Sequence, residues 1–120
     1  MGNDIRKNLT HHLELMGQGK MLEGFELYYH NDVVMSENGV EDPTRIGKES
    51  NRNYETYFAN NATWHGARVG QIIVDQEHNS SSYEMWMDFT FGGQRMTRTQ
   101  SAVQTWKDGQ IAKETFYYSA

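Results

Sequence analysis

The chain has 120 residues, a net charge of -5 and no cysteine. This length suits a single domain over 1–120 that buries a core of its own. The negative charge and the lack of a basic run exclude nucleic acid as an expected partner, because phosphate contacts need clustered Lys and Arg. The missing Cys excludes disulfides, thiolate nucleophiles and Cys-based zinc sites.

The first residues, MGNDIRKNL, lack the apolar stretch of a signal peptide. No apolar run in the sequence reaches the length of a membrane-spanning helix. We therefore expect a cytoplasmic protein without a membrane partner. Nothing in the sequence implies a cofactor.

The spacing of the apolar residues predicts three helices, over 4–16, 20–29 and 47–60. In the first of them, Asp4 is a residue that favours the N-cap position. Adjacent histidines at 11 and 12 point about 100° apart on a helix, so they cannot bind a metal ion from one face. We interpret both as solvated surface and expect no metal site.

The segment between the second and third helices is predicted as a turn, a short strand and a loop. His30-Asn31-Asp32 forms the turn, the strand covers 33–35, and a polar loop covers 38–43. Glu37 follows at the end of this strand.

From Trp64 onward the hydrophobic pattern changes to period two. It predicts four strands, over 64–76, 81–91, 94–106 and 110–118. Asp108-Gly109 between two alternating runs is a strong hairpin signal. Consecutive strands with tight links form an antiparallel meander, so the domain is predicted to be α+β.

Alternation assigns these strand residues to two faces. One face is aromatic and rich in Met but also carries amides and a carboxylate, which is typical of a lined pocket: Tyr83, Met85, Met87, Phe89, Gln100, Ala102, Gln104, Trp106, Ala112, Glu114, Phe116 and Tyr118. The other face holds Trp86 among acidic residues. A large exposed aromatic on a sheet favours a homodimer through that outer face, or else is a lone exposed Trp.

The order of these elements, with YHNDVVMSENG, GKESNRNYETYFANN and VQTWKDGQIAKETFYY, resembles the nuclear-transport-factor-2-like superfamily. The SnoaL-like domains, relatives of ketosteroid isomerases and polyketide cyclases, are the most similar branch. The resemblance implies a cone: a curved antiparallel sheet, made of the four-strand meander and the short N-terminal strand, wraps around the three helices. It implies a cavity for a small, mostly apolar ligand.

The resemblance also suggests catalytic positions, and they are mixed. Glu37 falls where ketosteroid isomerases keep their general base. Ala102 falls where they keep an oxyanion-binding Asp, and Leu13 near where they keep a Tyr donor. His65 is the histidine expected near the cavity, and Arg98 with Glu114 is a candidate ion pair.

Two functions therefore remain open. One is an acid/base isomerase or cyclase with Glu37 as base, and with Gln100, Tyr118 or His65 polarising an oxygen. The other is a ligand-binding or dimeric interaction module without catalysis. The expected ligand-binding residues are the same in both cases: Tyr57, Tyr83, Met85, Met87, Gln100, Gln104, Trp106, Glu114, Phe116 and Tyr118.

Overall fold

The computed structural model describes residues 2–38 and 40–119, except for the side chains of 40–44. Within these residues the chain forms helices and strands in the following order: α1 (Ile5–Gly17), α2 (Met21–Tyr28), β1 (Tyr29–Glu37), β2 (Val40–Ile46), α3 (Lys48–Asn61), β3 (Ala62–Asp75), β4 (Ser80–Phe91), β5 (Gln94–Lys107) and β6 (Gln110–Tyr118). The α+β class, the helices and the meander are confirmed. No helix in the described residues is long and apolar enough to span a membrane.

The six strands form one sheet in the order β2-β1-β6-β5-β4-β3. The meander β3 to β6 is antiparallel throughout, but β1 pairs with β6 in parallel. The sheet is therefore mixed, whereas the sequence predicted an antiparallel one. It also has one strand more than predicted.

The segment between α2 and α3 is where the prediction was wrong. His30-Asn31-Asp32 belongs to β1 rather than to a turn, and the predicted loop 38–43 lies largely in β2. Pro43 argued against a strand in the sequence, because proline lacks the N–H that a central strand needs. β2 is an edge strand and tolerates it. The side chains of 40–44 lie outside the described residues.

The core forms where the helices meet the concave face of the sheet. Ile5 and Leu9 of α1 and Phe25 of α2 are buried against strand residues such as Met85 and Phe89. Asp4 caps α1 by accepting a hydrogen bond from the Lys7 amide at 3.1 Å.

The last hairpin closes as predicted. Asp108 and Gly109 have φ values of 53° and 79°, the positive values that a tight hairpin turn requires at both central positions. Next to the turn the register shifts, because Trp106 pairs with Ile111 and Thr105 pairs with Lys113, which leaves Ala112 without a partner in the ladder. As a result Ile111 is fully buried and Ala112 only partly, whereas alternation had placed Ala112 on the inner face.

Candidate functional site

The concave face of the sheet and the three helices line a half-open cavity of about 110 Å³. Most of its wall is apolar or aromatic: Met16, Met21, Phe25, Phe58, Trp64, Tyr83, Met85, Met87, Phe89 and Phe116. A smaller set of polar groups faces the same space: His12, Tyr29, Glu37, Arg45, Tyr54, Glu55, Arg98 and Gln100. An apolar wall with a few convergent polar groups is the usual form of a small-molecule site.

The wall includes several residues that the sequence had assigned to it, from β4, β5, β6 and the end of β1: Glu37, Tyr83, Met85, Met87, Gln100 and Phe116. Their side chains follow strand alternation, as shown by Tyr83, Met85 and Met87 being buried while Glu84 is exposed. That these residues bind a ligand stays a prediction.

His65 is not part of the wall. It lies on the exposed face of β3, where its Nε2 is 2.7 Å from the hydroxyl of Thr90. Its neighbour Trp64 takes the inward position instead. The β3–β4 ladder shifts register between Trp64 and Gly66, so His65 is the unpaired residue of a bulge, and its side chain lies on the outer face beside Thr90. The expectation of a catalytic His65 is therefore not met.

Two further expected ligand residues lie away from the cavity. Tyr57 of α3 is 59% exposed and contacts the edge of Phe91. The helix turns Tyr54, Glu55 and Phe58 toward the cavity instead. Tyr118 is not on the wall either, and its ring lies 3.9 Å from the Arg98 guanidinium.

Behind the wall, the remaining predicted residues form a fully buried hydrogen-bonded chain, here called the Glu114 cluster. Tyr29 donates to one carboxylate oxygen of Glu114, and Gln104 Nε2 donates to the other at 2.6 Å. Ser81 donates to Gln104 Oε1 at 2.7 Å, and Trp106 Nε1 donates to Ser81 at 2.8 Å. Tyr29 is the member that lines the cavity.

The environment of Glu114 differs from the expected ion pair with Arg98. Glu114 is fully buried, and burial raises its pKa to about 7 in spite of the hydrogen bonds from Tyr29 and Gln104. Arg98 instead stacks on Tyr118. Glu114 therefore does not contact a ligand directly, as the sequence had suggested, but lies behind the cavity wall in the Glu114 cluster.

Glu37 lies on the cavity wall, where β1 ends. Its side chain is 22% exposed, and its Oε1 is 3.8 Å from Nη1 of Arg45. Burial raises its pKa, and the positive charges of Arg45 and Arg98 act in the opposite direction. Its Oε2 is buried and has no hydrogen-bond partner among the described residues. Glu37 is therefore not a solvated loop residue.

Glu55 is a second carboxylate on the wall, and the sequence analysis missed it. Burial, followed by the negative charge of Glu114, raises its pKa to about 7. The signal was present in the sequence, because Glu55 lies three residues before Phe58 on one face of the predicted helix. A charged residue on an otherwise aromatic helix face points to a lined cavity.

His12 corrects another expectation. It was interpreted as solvated surface, but it is 2% exposed and lines the cavity. Burial, together with nearby His11, lowers its pKa to about 4, so it is neutral at physiological pH. Its Nδ1 lacks a hydrogen-bond partner among the described residues. His11 is the exposed member of the pair and contacts the Tyr28 hydroxyl.

With the cone and its cavity described, the chain can be compared with known proteins. No model of a known protein family matches it, and no curated protein matches it. Solved structures do. A provisionally assigned SnoaL-like polyketide cyclase from Mesorhizobium loti is 27% identical, with a TM-score of 0.82 over 95% of this chain and 98% of that one.

Two other neighbours show the same fold at lower identity. A provisionally assigned isomerase from Bacillus subtilis is 15% identical, with a TM-score of 0.79 over 99% of this chain and 90% of that one. An LEH-like epoxide hydrolase from M. tuberculosis is 15% identical, with a TM-score of 0.76 over 98% of this chain and 83% of that one.

The chain therefore has the nuclear-transport-factor-2-like fold, and the resemblance found in its sequence is confirmed. Within that fold it is similar to SnoaL-like proteins along nearly its whole length.

Proposed function

We propose that this protein is an acid/base enzyme of the isomerase or cyclase kind, acting on a small and mostly apolar carbonyl compound. The observation that carries the proposal is Glu37, a half-buried carboxylate on an apolar cavity wall with one oxygen unpaired among the described residues. Desolvation raises its pKa, which makes it a stronger base toward a weakly acidic C–H.

A second carboxyl group supports the same chemistry. With a pKa of about 7, Glu55 is partly protonated at neutral pH, whereas both Arg45 and Arg98 favour the ionised form of Glu37. Two carboxyl groups in different protonation states can serve as base and acid in one site. In the proposed reaction, Glu37 removes the proton and Glu55 supplies one.

The similar proteins include a provisionally assigned polyketide cyclase and a provisionally assigned isomerase, which agrees with this class. The cavity volume of about 110 Å³ limits an enclosed ligand to roughly one ring, because a cavity of about 150 Å³ accepts benzene. We therefore propose cyclic or short-chain ketones as substrates rather than fused-ring compounds.

The test is exchange of α-protons for deuterium, followed by NMR in heavy water over a panel of such ketones. Glu37→Gln is expected to slow exchange by at least about 100-fold, the usual contribution of a general base. Glu26→Gln is the matched control, because Glu26 is exposed and paired with Arg52 away from the cavity. Protein-catalysed exchange that survives Glu37→Gln would remove Glu37 from the role of base.

A binding module without catalysis is the second candidate. It is favoured by Ala102, a fully buried residue that offers no acidic hydrogen at the position where ketosteroid isomerases carry one. Saturable binding of the same ketones without any proton exchange is the outcome that selects this function.

We also propose a cytoplasmic homodimer that pairs through the outer face of the sheet. That face carries Trp86 under the Arg68 guanidinium at 4.8 Å, together with exposed Ile73, Val103 and Tyr117. Such apolar surface is typical of an interface. Equilibrium sedimentation at micromolar concentration should give twice the chain mass, and a monomer would refute this prediction.

A further inference from the structure

The side chain of Arg45, on β2, is held in a fixed orientation on the cavity wall. Its Nε donates to Asn51 Oδ1 at 3.2 Å, and its Cζ lies 3.9 Å from the centre of the Tyr54 ring. Asn51 is fully buried and donates to the carbonyl oxygens of Gly47 at 2.8 Å and Arg45 at 3.1 Å. These contacts set the plane of the guanidinium before any ligand binds.

The orientation leaves two atoms unused. Nη1 of Arg45 faces Glu37 Oε1 at 3.8 Å, while Nη2 of Arg45 and Oε2 of Glu37 are both buried without a hydrogen-bond partner in the described part of the chain. A buried polar group that is left unpaired lowers the stability of the free protein. A guanidinium that lies 3.8 Å from a carboxylate on the same cavity wall matches a ligand that brings an oxygen and a removable proton together.

Two other hydrogen-bond donors on the wall, Arg98 and Gln100, are less suited to bind the oxygen of a ligand. Arg98 packs its guanidinium on the ring of Tyr118, at 3.9 Å, and the ion pair with Glu37 is made by Arg45. Gln100 offers a neutral donor. A guanidinium N–H is the stronger partner for an oxygen that gains negative charge, because hydrogen bonds to ionised groups are about twice as strong as neutral ones.

We propose that Arg45 binds the carbonyl oxygen of the substrate and stabilises the enolate that forms there, which makes Arg45 a catalytic residue. The Glu37 carboxylate takes the proton from the α-carbon, so that Glu37 becomes neutral. The electron pair of the broken C–H bond forms the C=C bond, and the C=O π pair moves onto the oxygen, which accepts hydrogen bonds from Arg45. The substrate class is then the enolisable ketones and aldehydes.

This inference rests on the proposed function, but binding can test it without turnover. The probe is 4-nitrophenol, a one-ring enol analogue whose neutral and ionised forms absorb at different wavelengths. The background is Glu37→Gln, because the amide stands for the protonated base that faces the enolate. In the Glu37→Gln protein, the pKa of bound 4-nitrophenol should fall below its value in water.

Adding Arg45→Met should weaken binding of the phenolate by about 10- to 100-fold and raise the pKa of the bound phenol by about one to two units. Arg45→Lys keeps the charge but loses the Nε bond to Asn51, and should give an intermediate shift. Arg52→Met, an exposed arginine on α3, is the control and should leave the absorbance titration unchanged.

Three results overturn the inference: no binding of 4-nitrophenol to the Glu37→Gln protein, an unchanged phenol pKa in the Arg45 variants, or an equal shift in Arg52→Met. Thermal unfolding of each variant establishes that it is folded. If Arg45→Met does not fold, the phenol pKa in the Arg45→Lys protein decides the test. An Arg45-dependent pKa shift without any α-proton exchange in the parent protein would uphold the oxygen site and reject catalysis. If α-proton exchange persists at the parent rate in Arg45→Met, catalysis is upheld and the role of Arg45 as the oxygen site is rejected.

Discussion

The Glu114 cluster and the Glu37–Arg45 pair are two polar regions built around a glutamate, and they differ in how completely their polar atoms are hydrogen-bonded. In the Glu114 cluster both carboxylate oxygens accept hydrogen bonds, and the chain continues through Gln104 and Ser81 to Trp106. Around Glu37 the contact with Arg45 is longer, and one atom on each side chain is unpaired among the described residues. Burial raises the pKa of both glutamates.

The difference separates a supporting role from a binding role. A buried polar network is stable when every member is paired, and it then fixes the positions of its neighbours. The Glu114 cluster holds Tyr29 of β1 to β6 across the sheet and so sets part of the cavity wall. The unpaired atoms of Glu37 and Arg45 lower stability in the free protein, as expected for residues that are proposed above to contact a ligand.

The largest expected effect contrasts the two glutamates directly. Glu114→Ala should lower the free energy of unfolding by about 3 kcal/mol, because it leaves buried donors of Tyr29 and Gln104 without an acceptor. Glu37→Ala should change it by less than about 1 kcal/mol, because few of its contacts are lost. Urea unfolding of both variants measures the difference, and equal losses would remove the distinction.

The pH dependence of stability sharpens the comparison. The pKa of Glu114 is about 7 in the folded protein and ordinarily 4.5, so the folded state binds the proton more tightly. Its contribution is therefore fully present below pH 4.5 and is lost as the pH rises through about 7, on the order of 3 kcal/mol in total.

Glu114→Gln mimics the protonated form and should reduce the fall in melting temperature between pH 5 and 8, and the part of the fall that is due to Glu55, whose pKa is also about 7, should remain. The parent and variant must be compared at each pH, because His12 acts in the opposite sense as its proton is lost. Parallel melting curves for the two proteins would contradict the raised pKa of Glu114.

The third unpaired atom, Nδ1 of His12, is tested through Gly24 of α2. A Cβ at Gly24 would lie 2.6 Å from His12 Nδ1. Gly24→Ala should therefore destabilise the protein by about 1 to 3 kcal/mol, in spite of the better helix propensity of Ala. Gly17→Ala is the matched control, since nothing lies within 4 Å of a Cβ there. Similar melting temperatures for both variants would show that the His12 ring is free to move.

The smallest effect gives the scale for one exposed polar contact. Asp4→Ala removes the N-cap acceptor of Lys7 and should cost about 1 kcal/mol in urea unfolding. Asp4→Asn keeps a capping oxygen and should be nearly neutral. A loss as large as that of Glu114→Ala would mean that burial does not distinguish the two contacts.

The meander and its inward face were predictable because strand alternation and the Asp108-Gly109 turn are local signals. β2 was not, because a proline and charged residues disguise an edge strand. The directions in which His65 and Ala112 face were predicted incorrectly for a related reason. Where a strand begins, and where a register shift falls, depend on pairing with neighbours that the sequence does not specify.

The site was predictable only in part. Glu37 and the aromatic wall follow from the strand pattern and the resemblance. Arg45, Asn51 and Tyr54 come together through contact between β2 and α3, which no periodicity encodes. The burial of His12 likewise depends on Gly24, whose missing side chain leaves room for the ring.

The parallel pairing of β1 with β6 has a consequence for how the protein folds. Ser36 and Thr115 are partners in that ladder although they are 79 positions apart. Pairing of such distant segments requires closing a long loop first, which slows folding. During synthesis the meander can form as successive hairpins, but β1 must wait until β6 has left the ribosome. Until then, α2 and β1 remain exposed to whatever chaperones the nascent chain meets.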